Sequence, residues 1–163
     1  MPEFQISRNY YRQNNDDGGR KIVLLPDGTL YAFFLKGTAT NDVFMSKSTN
    51  AGVTWNTAEL TNATAPDNPA AHVDSLGRIH LIYADAQGND TSVHHQMYNP
   101  VNNNWTAENM FYEDAFGYGI GTLDVALDSD DNIHVVFAHQ EANSTLEEIE
   151  RDDFVDFGDG IND

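Results

Sequence analysis

Three segments of the chain repeat one pattern, in which an apolar run, a polar turn and a second apolar run follow each other. They are Lys21–Phe33, Ala71–Tyr83 and Ala126–Phe137. Aligned on Gly28, Gly77 and Asn132, the copies are spaced by 49 and 55 residues. Gly or Asn tolerates the positive φ that tight hairpin turns require, and the flanking Val, Ile, Leu, Tyr and Phe favour strands. The pattern predicts three related β-hairpins.

Between the copies the sequence predicts two further strands per unit, Asp42–Lys47 and Thr54–Leu60, then Thr91–Tyr98 and Trp105–Phe111. Four strands about every 50 residues are typical of a β-propeller blade. Helical spacing occurs over Leu146–Phe157, which can form a short acidic helix, so the third unit is expected to end after its hairpin. The predicted organisation is an N-terminal arm (1–19), blades over 20–142 (about 20–61, 66–112 and 122–142) and an acidic tail (143–163).

Composition narrows the possible partners. The 163 residues include 8 Lys+Arg and 26 Asp+Glu, giving a formal charge of −18. Such a charge argues against nucleic acid or anionic membranes as partners. The absence of cysteine excludes disulfides and thiol nucleophiles. No apolar run reaches the ~18 residues of a membrane-spanning helix, so no membrane insertion is expected.

One polar turn carries a family resemblance. The segment Ser48-Thr49-Asn50-Ala51-Gly52-Val53-Thr54-Trp55 resembles the Asp-box, or BNR repeat, of sialidase-like (neuraminidase superfamily) β-propellers, with Asn50 in place of Asp. The box residues Ser48, Asn50, Gly52, Thr54 and Trp55 are interpreted as a structural turn cap. The resemblance implies an all-β, sialidase-like propeller segment with an incomplete third unit. Because closed propellers have about 4–8 blades, further blades of a longer chain or neighbouring protein subunits are expected as partners.

The same resemblance implies that an active sialidase needs three arginines, a Tyr–Glu pair and an Asp. Arg20 and Asp42 are the candidates for such catalytic roles, whereas Arg78 is expected on the opposite rim of the blades. One candidate arginine does not make a sialidase pocket. We therefore assign no catalytic residue and expect hydrolase activity only if other pocket residues lie outside this chain.

Aromatic and acidic residues alternate in the segment that joins the second and third units. The candidate ligand-binding residues there are Tyr112, Glu113, Asp114, Phe116 and Tyr118. Aromatic rings with adjacent carboxylates suit stacking on the faces of sugars. Two alternatives remain open: the rings cover a junction between blades, or they contact a protein.

Carboxylate clusters at Asp85–Asp90, Asp128–Asn132 and Asp152–Asp163 raise calcium as a possible ligand, against the alternative of solvated turns. His80 and His134 occupy the repeat position of Tyr31, which favours a packing role over metal binding. His94 and His95 are expected on opposite faces of one strand. No metal site and no cofactor other than calcium is predicted.

The sequence therefore predicts a non-catalytic recognition module for a glycan or surface receptor, located outside the cell or on a cell or virion surface. The alternatives are the N-terminal part of a sialidase-like glycoside hydrolase and a structural assembly subunit. The start, Met1-Pro2-Glu3-Phe4, lacks the basic and apolar regions of a signal peptide.

Overall fold

Every element in the described part of the chain is a β-strand. The computed structural model describes residues 21–36, 42–59, 66–87, 90–114, 120–139 and 155–157. The strands in chain order are β1 Ile22–Leu24, β2 Leu30–Lys36, β3 Asp42–Ser48, β4 Asn56–Glu59, β5 Pro66–Val73, β6 Ile79–Gln87, β7 Asp90–Asn99, β8 Asn104–Trp105, β9 Asn109–Asp114, β10 Ile120–Leu127, β11 Ile133–His139 and β12 Val155–Phe157. The predicted all-β class is confirmed. These residues contain no helix with the length and apolar character needed to cross a bilayer.

The strands form three antiparallel sheets that follow the three predicted units. Sheet 1 has the order β1-β2-β3-β4, and sheet 2 has the order β5-β6-β7-β8 with β9 also paired to β7. Sheet 3 has the order β10-β11-β12. Each repeated hairpin supplies the first two strands of its sheet, β1-β2, β5-β6 and β10-β11.

The third sheet corrects two expectations about the C-terminal region. Val155–Phe157 form a strand, not the end of a helix, and they pair antiparallel with Ile133–Val135 of β11. The third unit therefore does not end after its hairpin. Pairing with β11 satisfies backbone groups of both segments, and the local helical spacing of the tail carries no information about this distant partner. The rest of the expected helix lies outside the described residues.

The third hairpin turn differs from its predicted alignment by one residue. Positive φ occurs at Gly28 (86°), Gly77 (76°) and Asp131 (64°), not at Asn132. The turn bond from Asp128 N to Asn132 O matches the bond from Asp74 N to Arg78 O. Asp131 is therefore the equivalent of the two glycines, and His134 keeps the predicted repeat position of Tyr31 and His80.

Each sheet has two faces, which the pairing register defines. We define the front face as the face that carries Tyr31 in sheet 1, His80 in sheet 2 and His134 in sheet 3. The back face carries Leu30, Ile79 and Ile133 in the same order. Residues opposite each other across the ladders share a face, and successive residues alternate.

Two hydrophobic cores join the sheets in chain order. In the first core, Tyr31 and Phe33 on the front of sheet 1 pack with Ile79, Leu81 and Tyr83 on the back of sheet 2. The second core has the same arrangement one sheet later, with these members: Ile82 and Ala84 on the front of sheet 2, and Leu123, Val125, Ile133, Val135 and Phe137 on the back of sheet 3. Sheet 2 thus lies between the other two, with both faces buried. Within the described residues the three sheets do not form a closed ring.

Candidate functional site

The predicted ligand-binding segment begins on β9, at the junction of sheets 2 and 3. Tyr112 lies opposite Val93 of β7 and is half-buried, with its ring 4.9 Å from the Phe137 ring at 55°. Glu113 and Asp114 end β9. Phe116 and Tyr118 lie outside the described residues. The ring of Tyr112 therefore takes part in the packing between two sheets, as the blade-junction alternative predicts for it.

The catalytic candidates are not brought together by the described residues. Asp42 is the first residue of β3 and pairs with Lys36 of β2. Arg20 lies outside the described residues. Within the described ranges Arg78 is the one arginine, and its Nε bonds the Asp74 carboxylate in the second hairpin turn. Arg78 is thus committed to a structural contact and is not free to bind a substrate carboxylate.

The turn between β3 and β4 is closed by side chains of the segment Ser48–Trp55. Asn50 Oδ1 accepts hydrogen bonds from Thr54 N (2.9 Å) and Ser48 Oγ (3.0 Å). Ser48 Oγ in turn accepts from Gly52 N (2.9 Å), and Trp55 Nε1 donates to Gly52 O (3.0 Å). These bonds satisfy backbone groups that the turn leaves without strand partners. All five box residues act within the turn, and the Asp-box assignment itself stays an interpretation by resemblance.

Two of the hairpin turns carry an aspartate–histidine pair that was not predicted from the sequence. Asp74 accepts backbone bonds from Leu76 (3.0 Å) and Arg78 (2.7 Å), and its Oδ2 lies 3.3 Å from His80 Nε2. In the third turn, Asp128 Oδ2 lies 3.2 Å from His134 Nε2. The signal was present as an Asp-Ser pair followed by Ile-His at the same spacing in both copies. The first copy has Leu25 and Tyr31 instead.

Hydrogen bonds favour the ionised form of both aspartates. Burial disfavours the charge on Asp74, but bonds from the Arg78 backbone, the Arg78 side chain and His80 outweigh it, so its pKa lies below the usual value. Bonds from the side chains of Asn132 and His134 hold the pKa of Asp128 far below its usual value. Both carboxylates therefore act as turn acceptors rather than as general acids.

A pair of histidines continues inward from Asp74, along the front of sheet 2. His80 Nδ1 lies 3.0 Å from His95 Nε2, and the two rings stack at 5.2 Å with an angle of 5°. Burial lowers the pKa of His80 more than Asp74 raises it. Burial, and then the proximity of His80, lower the pKa of His95 to about 4. Both rings are consequently neutral near pH 7.

The neighbouring His94 points to the opposite face, as predicted. Its ring stacks on Tyr83 at 5.6 Å, and its Nδ1 lies 2.5 Å from Glu108 Oε1. No group of three or more His, Cys, Asp or Glu side chains among the described residues is arranged to hold a metal ion. In the third turn, where the sequence raises calcium as a possible ligand, the Asp128 carboxylate already accepts four hydrogen bonds from the protein.

One polar contact crosses between the turns of sheets 2 and 3. Asp131 Oδ1 accepts a bond from Ser75 N (2.8 Å), and Asp131 Oδ2 accepts from Ser75 Oγ. The residues are 56 positions apart in sequence. Asp131 thus serves both as the positive-φ residue of its own turn and as a link to the preceding sheet.

Comparison with known proteins gives a distant structural likeness. No family model matches the chain, and no curated protein matches it. Among solved structures, a mutant of the NanB sialidase from Streptococcus pneumoniae has a TM-score of 0.48 and 17% identity over 74% of this chain and 20% of that chain. NanB with Optactamide gives 0.47 and 16%, and the Streptococcus pneumoniae enzyme with a chlorobenzyl ammonio-ethanesulfonate gives 0.46 and 15%, at the same coverage. The chain spans about a fifth of those chains, and this level of likeness assigns it no activity.

Proposed function

We propose that the chain is a non-catalytic recognition module that binds glycans through the aromatic and acidic segment Tyr112–Tyr118, which begins on β9. The observation that carries the proposal is the position of Tyr112, whose contact with Phe137 fixes the start of this segment at the junction of sheets 2 and 3. A ring that packing already holds in place, such as that of Tyr112, loses less conformational entropy when it contacts a ligand. The proposal includes a location outside the cell or on a cell or virion surface, supported by the acidic, lysine-poor composition.

A non-catalytic role is favoured because charged groups of the hairpin turns form contacts within the protein. Arg78 and Asp74 bind each other, and Asp128 binds its own turn. A hydrolase would need a cluster of arginines and carboxylates around one reacting bond, and the described residues, with Arg78 as their one arginine, do not form such a cluster.

The test is binding of the purified chain to a glycan array, followed by titration of each positive glycan. We expect Tyr118→Ala and Glu113→Gln to weaken binding about tenfold or more, since loss of one stacked ring or one charged hydrogen bond corresponds to at least about 1.4 kcal/mol. Tyr112→Phe removes a hydroxyl while keeping the ring on Phe137, so it separates ligand contact from packing. The matched control is Asp130→Asn, which changes a charge in the third hairpin turn.

Unchanged binding in Tyr118→Ala and Glu113→Gln, or an equal loss in Asp130→Asn, would refute this site. Release of sialic acid from a fluorogenic sialoside by the chain would instead support the hydrolase alternative.

A further inference from the structure

The two interfaces between the sheets follow one rule: a front face always receives the back face of the next sheet. Tyr31 and Phe33 on the front of sheet 1 are 0% and 1% exposed beneath sheet 2. At the repeat position of Phe33, Ile82 on the front of sheet 2 is 0% exposed beneath sheet 3. The rule holds at equivalent residues in both interfaces.

The same rule leaves two faces without a partner sheet among the described residues. On the front of sheet 3, Val136 is the repeat equivalent of Phe33 and Ile82, yet it is 51% exposed. On the back of sheet 1, Ile22 is 52% and Leu24 is 62% exposed, although Ala71, the equivalent of Ile22, is fully buried. Exposed apolar residues at positions that are buried in the sister sheets mark surfaces that fit another sheet.

The two faces have the chemistry of the two sides of an internal interface. The back of sheet 1 carries Ile22, Leu24 and Leu30, with Phe34 stacked on Phe44 at 6.1 Å. The front of sheet 3 has a shallow groove of about 130 Å³, lined on its apolar part by Ala126 and Val136 and bordered by the polar groups of Asp124 and His134. The covered front of sheet 2 similarly combines an aliphatic side chain, Ile82, with the histidines His80 and His95.

We propose that the back of sheet 1 in one copy of the chain packs on the front of sheet 3 in a second copy. Such a contact joins two different surfaces and is heterologous, so it must close into a ring or continue as a filament. The described residues of each chain form three sheets, so two copies give six. Because closed propellers contain about 4–8 blades, two is the number of whole copies that closes the ring.

The test is the mass of the purified chain by light scattering after size exclusion, measured over a range of concentrations. We expect a mass twice the 18.1 kDa of one chain. Leu24→Asp and Val136→Asp each place a charge on one of the two faces and are expected to convert the dimer to an 18.1 kDa monomer. Val101→Asp is the matched control, because Val101 is 89% exposed in the turn between β7 and β8, away from both faces. All three variants should keep the wild-type circular dichroism, since each altered side chain is at least half exposed.

Mixing the two single variants distinguishes this two-face contact from a self-complementary contact through a single face. Leu24→Asp retains an intact sheet 3 front, and Val136→Asp retains an intact sheet 1 back, so an equimolar mixture should regain a dimer through one unaltered interface. A wild-type protein that is monomeric at all concentrations would overturn the proposal. Coverage of both faces by other segments of the same protein would give this result. A dimer broken by one variant and unaffected by the other would also overturn it, because a self-complementary contact would then use a single face.

Discussion

At the scale of single residues, short polar side chains close the turns that the strands leave open. Asn50 is the clearest case, since its Oδ1 accepts two bonds and its Nδ2 donates to Thr54 Oγ1 at 2.8 Å. Asp27 plays a related role in the first hairpin, where its Oδ1 accepts a bond from Thr29 N. Such local bonds compete well in turns because the donor and acceptor are already close in sequence.

The Asn50 bonds predict a difference between two substitutions. Asn50→Ala removes both acceptor contacts and should lower the free energy of unfolding by about 1–2 kcal/mol. Asn50→Asp keeps a carboxylate oxygen for Thr54 N, and the Thr54 hydroxyl can donate to it, so the loss should stay below about 0.5 kcal/mol. Urea unfolding at fixed protein concentration measures both values. Equal losses in the two variants would show that the acceptor at position 50 does not hold the turn.

At the scale of elements, the sequence predicted strands well where the signal was local, and it missed contacts between distant residues. The apolar repeat predicted all three hairpins, because the turn residues and both strands lie within a few positions of each other. In the third turn Asp130, Asp131 and Asn132 all tolerate positive φ, so the sequence alone could not select Asp131. The strand β12 and the Ser75–Asp131 contact each depend on a partner far along the chain.

The same limit applies to the candidate site. The β3–β4 turn is one continuous segment of sequence, so its turn residues could be recognised locally, while the Asp-box interpretation of Ser48–Trp55 stays a prediction. The resemblance gave no indication that Asp74 would be buried and bonded to Arg78 and His80, since that contact depends on the burial of a turn between two sheets. The repeated Asp-Ser and Ile-His spacing was the available signal.

The histidine pair at the interface of sheets 2 and 3 predicts a loss of stability in acid. The folded protein holds the pKa of His95 at about 4, below the usual 6.5. The unfolded chain therefore binds more protons between these values, and the stabilising contribution present above pH 6.5 is lost as the pH falls towards 4. The groups facing His80 and His95 are Asp74 and Arg78 from the same sheet and Asp131 from the turn of sheet 3. The loss should reach about 2–3 kcal/mol.

Urea unfolding between about pH 7 and pH 4.5 measures this loss. The variant His95→Gln should show a clearly smaller decline, and the half-exposed His134→Gln serves as the control for loss of a histidine outside the interface. A decline of the same size in His95→Gln and in the wild type would show that the buried pair is not its source.

At the scale of the whole molecule, sheet 2 connects the two cores. Its central strand β6 is paired on both sides, with β5 and with β7, and its residues Ile79–Tyr83 are buried on both faces. Sheets 1 and 3 each contribute one face to the cores. Opening of sheet 2 would therefore break both cores, whereas opening of either outer sheet breaks one.

This arrangement predicts the order of amide hydrogen exchange. The amides of β6 should exchange most slowly, at the rate of global unfolding, and those of the edge strands β1 and β4 should exchange by local opening. Hydrogen–deuterium exchange followed by mass spectrometry resolves peptides from each strand. Slower exchange in β2 or β11 than in β6 would place the most stable unit in an outer sheet.

The net charge of −18 acts on the whole molecule and predicts a stability that rises with salt. Folding brings 26 carboxyl groups into a small volume with only 8 Lys and Arg side chains, so their mutual repulsion disfavours the compact state. Salt shortens the screening length from about 30 Å at 0.01 M to about 10 Å at 0.1 M, which removes most of this repulsion. The melting temperature should therefore rise by a few degrees over that range of NaCl and then level off.

Calcium chloride at matched ionic strength separates screening from binding. An equal shift in melting temperature indicates screening alone, whereas a larger shift at millimolar calcium indicates that a carboxylate cluster binds the ion. A melting temperature that is unchanged or lowered by NaCl would show that the surface charges do not repel each other enough to affect folding.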